Sequence, residues 1–194
     1  MGMGMGMGRE TDVTGHHRGG HYSGMSIALH WLTLALLVGV YACIELRGLY
    51  PRGSGARQAL AMWHEMLGLA TFALVWVRLL FRAIGRTPPI QPPPPRWQQR
   101  LAGVVHLALY VFLIGMPLLG WLVLSTAGKP VPFFGMELPA LAATDTALSH
   151  RLEEIHETIG TVGYYLIGLH AAAALFHHYV QRDDTLRRML PWRR

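Results

Sequence analysis

Four stretches of the chain are almost wholly apolar, and polar, Gly- or Pro-rich sequence separates them. They cover about 26–46, 60–82, 101–125 and 155–180, each near the roughly 20 residues needed to cross a bilayer as a helix. Strands of that length are implausible, and lipid tolerates no unpaired backbone, so each run predicts a membrane-spanning helix. A soluble bundle with long core helices would need charged faces at a spacing of about 3.6 residues, which these runs lack. The expected fold class is an all-α membrane protein, a four-transmembrane-helix bundle over 26–182. The connections fit this plan. Residues 1–25 begin MGMGMGMG and read as a flexible tail rich in Gly, Met and His, without the apolar stretch and cleavage site of a signal peptide. Residues 84–98 hold six prolines, a stiff linker between the second and third helices. The longest connection is 126–150, and 183–194 is a basic C-terminal tail.

Composition agrees with the pattern. The 194 residues are 52% hydrophobic and 14% charged, against about 25% charged in a usual soluble domain. The single cysteine, Cys43, excludes an internal disulfide and any four-cysteine metal site. Seventeen basic residues outnumber eleven acidic ones. Twelve of the basic residues fall on the side of the tails and the second connection, five on the other. By the positive-inside rule both termini face the cytoplasm. The arginines therefore read as a topology signal and as contacts to membrane lipid; they form no compact basic domain of the kind nucleic acid would need.

Eleven histidines remain to be explained. An ionisable residue inside a membrane helix is a functional candidate by default. Following the chain back and forth, His30 lies near the inner end of the first helix and His64 near the outer end of the second. His156 and His170 lie fourteen residues apart on the fourth. That spacing puts them about 21 Å apart along the axis and within about 40° of one face. Two levels result: His64 with His156 outside, His30 with His170 inside. Paired imidazoles across a bundle core suit an iron porphyrin held from both sides. With no CxxCH motif, such a haem would be non-covalent, hence haem b. Gly68, Gly160, Gly163 and Gly168 would let a flat macrocycle approach the backbone. The alternatives are a buried histidine that only hydrogen-bonds a neighbour, or a Zn, Cu or Ni site.

His106 is left over at the inner level and reads as a non-ligand. His177 and His178 fall at the inner surface, where they suit either an interfacial pair or a site of proton exchange and quinone binding. His150 has no assignment. A His-lined metal or proton transporter is the competing class, disfavoured because Glu45, Glu65 and Glu157 sit near the helix ends.

The segments SIALHW (26–31), ELRGLYPRG (45–53), GRTPPI (85–90), GKPVPFFGMELP (128–139) and HETIGTVGYYLIGLHAAAALFHHYVQRDDTLRRMLP (156–191) carry a resemblance. The sequence is similar to the bacterial cytochrome b561 family of small di-haem inner-membrane proteins. The resemblance implies two haem b groups, with His30 and His170 as axial iron ligands of the inner one and His64 and His156 of the outer. It implies electron transport in the respiratory membrane, with ubiquinone as acceptor. A member of that family oxidises superoxide at the periplasmic face, so the leading expectation is an oxidoreductase passing electrons from superoxide to ubiquinone. Arg47, Arg52, Arg57 and Lys129 would then steer the anion toward the outer haem. They serve equally as partners of Glu45 and lipid phosphate. The alternative is an electron-relaying subunit bound to a dehydrogenase or hydrogenase, with exposed Phe133 and Phe134 as the docking surface for a redox partner protein. A homodimer is permitted.

Overall fold

The computed structural model describes residues 22–85 and 89–190. It contains four helices long and apolar enough to cross a membrane. Helix α1 spans Gly24–Arg47, α2 Gly55–Ile84, α3 Arg96–Thr126 and α4 Thr146–Phe176. Each begins ahead of its apolar run, because a helical hydrogen-bond ladder starts where its first turn can be capped and not at the edge of hydrocarbon. Ser23 caps α1 by accepting from the Ser26 N–H, and Ser54 caps α2 through Arg57 N–H. Asp145 caps α4 through Leu148 N–H, which starts that helix nine residues before the expected 155. Helix α3 begins directly after the proline run and continues through Pro117.

Inside the helices, hydroxyl groups bond back one turn. Thr33 donates to Leu29 O, Thr71 to Leu67 O and Thr126 to Leu122 O, each at 2.7–2.8 Å. These bonds let polar side chains sit at membrane depth. Large apolar side chains such as Val38, Trp76, Leu107, Val111 and Tyr165 point outward around the bundle, as lipid-facing positions do.

The backbones pack in the order α1–α2–α3–α4. Long side chains close the ring between α4 and α1: Tyr41 Oη donates to Gly160 O at 2.9 Å, and Tyr164 Oη to Glu45 Oε1 at 2.6 Å.

The connection after α3 folds into a hairpin, β1 (Val131–Phe133) against β2 (Met136–Leu138), antiparallel with Val131 opposite Leu138. Phe134 (φ 46°) and Gly135 (φ 87°) make its two-residue turn, which requires positive φ at both positions. Val131 is buried with Leu69 and Leu124, and Trp121, Phe133 and Leu138 pack around them. Phe133 is half-buried against this cluster, which corrects its expected exposure; Phe134 is exposed and lies edge-on to Trp63.

At the other end the two ends of the described chain meet. Helix α4 widens over His177–Gln181, and Arg182 takes a left-handed φ of 56°. Residues 183–190 then fold back under the bundle. Asp184 N–H donates to Gln91 O, Gln91 N–H donates to Asp184 Oδ1, and Trp31 Nε1 donates to Met189 O at 2.7 Å. The described part of the basic tail is therefore a docked segment. Residues 1–21 of the N-terminal segment, including His16, His17 and His21, lie outside the described residues, as do Arg193 and Arg194.

Candidate functional site

Near the hairpin end, His64 on α2 faces His156 on α4 with ring centroids 6.2 Å apart and planes at 76°. His64 Nδ1 lies 2.9 Å from Val40 O. A carbonyl only accepts, so Nδ1 carries the proton and Nε2 keeps its lone pair, the arrangement usual for a metal-binding imidazole. The His156 ring lies against Gly120, where an added Cβ would come within 3.2 Å of Cε1. Its Nδ1 is buried and has no hydrogen-bond partner among the described residues.

Near the termini, His30 on α1 faces His170 on α4 at 6.3 Å and 63°. The two gaps are alike. Two metal–imidazole bonds of about 2.0–2.1 Å each, plus the half-widths of two five-membered rings, span such a gap with one metal ion. His106 is closer to His170, at 5.3 Å, and its Nδ1 donates to Ala102 O at 2.6 Å. That separation is too short for the same linear arrangement, so geometry favours His30 as the partner of His170. Arg78 Nη2 lies 3.2 Å from His30 Nδ1, placing at this level a cation that the charge pattern assigned to topology alone.

Among the described residues, no three His, Cys, Asp or Glu side chains converge to hold a bare metal ion. A donor set of two opposed imidazoles fits a metal that brings its own equatorial ligands. A porphyrin iron is such a group, whereas Zn would need further protein donors.

Between the levels, Gly163 is buried on the face of α4 shared by His156 and His170. The Tyr41 hydroxyl and Phe112 ring occupy the place a Cβ would take. This corrects one expectation: aromatic side chains of the chain itself use the room at Gly163. A Cβ at Gly68 or Gly168 would meet no atom of the chain within 4 Å, and one at Gly160 would touch only Met116.

The four cations expected to steer an anion separate in the structure. Arg57 Nη1 donates to Arg47 O (2.9 Å) and Tyr50 O (3.2 Å), tying the α1–α2 turn. Arg47 lies within electrostatic range of His64 and Glu65, and Lys129 of Glu65. Arg52 is exposed in the turn between α1 and α2.

His177 and His178 differ as well. His177 Nδ1 meets Asp183 Oδ2 at 2.5 Å, while His178 Nδ1 is buried without a partner among the described residues. Burial disfavours the Asp183 charge, but bonds from His177 and Thr185 outweigh it and hold the carboxyl below its ordinary pKa.

Comparison with known proteins gives the family. Residues 21–192 match the family described as prokaryotic cytochrome b561. Cytochrome b561 homolog 1 of Escherichia coli K12 is 38% identical over 173 residues, covering 89% of this chain and 98% of its own. The probable superoxide oxidase CybB of Yersinia pestis is 37% identical, covering 89% and 97%. Cytochrome b561 homolog 2 of Escherichia coli K12 is 29% identical, covering 87% and 90%. With its four apolar helices and opposed imidazoles, this chain belongs to the prokaryotic cytochrome b561 family, whose members are membrane-embedded b-type cytochromes of electron transport.

Proposed function

We propose that the chain holds two haem b groups, one between His64 and His156 and one between His30 and His170, and carries electrons from superoxide to ubiquinone. The observation that carries this reading is the pair of closely matched imidazole gaps, 6.2 and 6.3 Å, at two levels of one bundle. Haem iron supplies the one-electron chemistry when bound. The chain's residues bind, orient and insulate. Val40 O sets the ring nitrogen that His64 presents. Gly120 makes room for His156. Tyr41 and Phe112, pressed on Gly163, fill the space between the levels with aromatic side chains.

Both described chain ends meet at the His30–His170 end. With the excess of basic residues on that side, this is the cytoplasmic end and the hairpin end faces the periplasm of the inner membrane. Superoxide would then meet Arg47 and Lys129 beside the outer pair. One relative bears the name probable superoxide oxidase, which supports the donor. Two superoxide ions give up two electrons and leave as two molecules of oxygen; the electrons, with two protons, convert one quinone to a quinol. His177 and His178, at the cytoplasmic end, are the candidates for the quinone and proton site.

The test is anaerobic. The purified chain is given superoxide from a stock in aprotic solvent, followed by a short-chain ubiquinone analogue. Haem absorption should show reduction and then reoxidation. Haem that stays oxidised under excess superoxide but is reduced by dithionite would overturn superoxide as donor.

A further inference from the structure

His177 is held in a way its neighbour His178 is not. The break at the end of α4 makes the arrangement: the helix widens over His177–Gln181, and the N–H groups of Arg182 and Asp183 both bond His177 O. Arg182 turns left-handed, and the chain reverses so that Asp183 lies beside the His177 ring. The Asp183 side chain is only 3% exposed, and its two oxygens are committed to different partners. Oδ2 meets His177 Nδ1 at 2.5 Å, and Oδ1 accepts from Thr185 N–H at 2.9 Å. Among the described residues His177 Nε2 has no hydrogen bond to the chain.

We propose that Asp183 is the positioning residue of His177, fixing the ring with Nδ1–H on the carboxylate and Nε2 as the nitrogen that passes protons to quinone. This rests on the reading that His177 serves quinone reduction at the cytoplasmic end. Each quinone takes two electrons, supplied one at a time by the one-electron donor, and two protons. Each proton leaves Nε2 of the cationic ring for a quinone oxygen, so that an O–H bond forms as the N–H bond breaks. Water at the membrane surface then returns a proton to Nε2. Asp183 stays a carboxylate throughout; it stabilises the cationic ring and selects its tautomer, as the buried Asp of a Ser-His-Asp triad does.

The commitment of Oδ1 to Thr185 fixes which end of a substituted amide would face His177. In Asp183→Asn the amide oxygen keeps the Thr185 N–H, and the amide NH2 faces His177 Nδ1. The ring must then accept at Nδ1 and carry its proton on Nε2, without a neighbouring negative charge.

Two readouts test this on the full haem-loaded chain in detergent. The first is 15N NMR of histidine in the dithionite-reduced, diamagnetic protein, with His177→Gln to assign the signal. Wild type should show Nδ1–H at His177, and Asp183→Asn should show Nε2–H. The second is stopped-flow reoxidation of pre-reduced protein by a short-chain ubiquinone analogue. It should slow at least tenfold in Asp183→Asn at unchanged haem content, and Asp183→Glu should recover much of the loss. A wild-type ring with its proton on Nε2 overturns the proposal without any variant, so a poorly folding Asn substitution does not shield it. A reversed tautomer with an unchanged reoxidation rate also overturns it. If His177→Gln itself reoxidises at the wild-type rate, the quinone reading of His177 fails, and this inference with it. If His177→Gln is slow while Asp183→Asn is fast, only the role of Asp183 falls.

Discussion

Gly120 and Gly163 are both glycine because another side chain needs the space. At Gly120 that side chain is the His156 ring, 3.2 Å from where a Cβ would stand. Gly120→Val should push His156 out of line with His64 and remove one haem per chain. Pyridine haemochrome quantification against polypeptide checks this, and the His30–His170 level should be unaffected. At Gly163 the occupants are Tyr41 and Phe112, so Gly163→Ala overpacks the centre of the bundle. The expected cost is about 1–3 kcal/mol, read as a lower thermal midpoint in detergent. Neither glycine role could be read from the chain, since each depends on a residue of a different helix. The fourteen-residue spacing of His156 and His170 was legible because both lie on one helix, where sequence distance fixes angle and depth. Charge was less legible. Arg57 counts the same as Arg47 in any tally, yet it spends its guanidinium on two carbonyls of the α1–α2 turn.

Helices were legible as elements because hydrocarbon demands long apolar runs, and their ends were not, because caps set them. Asp145 and its bond to Leu148 N–H move the start of α4 well into polar sequence. The hairpin and the docked segment after α4 also escaped pattern reading. Three-residue strands have too few positions to show alternation, and residues 183–190 look like any basic tail until Gln91 and Trp31 are brought to them. Asp183 gives that segment a testable pH dependence. Its carboxyl has a folded-state pKa below the ordinary value of about 3.9. The stabilisation it contributes is therefore complete above that value and is lost as pH falls through the lower, folded-state one. Limited proteolysis with an acid-active protease should cut near 183–190 increasingly as pH falls through that window, while neutral pH leaves the segment protected.

At the scale of the whole molecule, the arrangement is one of stacked levels. Helix α4 carries one imidazole of each pair, α2 and α1 carry the opposing ones, and an aromatic layer on Gly163 separates them. The four-helix plan and the pairing by depth follow from sequence, since a bilayer removes most other ways to fold such a chain. The central claim is that each level holds one haem b between its two histidines. Its most direct test is the haem-to-polypeptide ratio of the purified chain, with a reduced-minus-oxidised spectrum, alongside His64→Ala and His30→Ala. The account predicts two low-spin b haems per wild-type chain and one remaining in each variant, with the two variants losing spectrally different haems. A wild-type chain with a single haem, or a His30→Ala chain that still carries two low-spin haems, would contradict it.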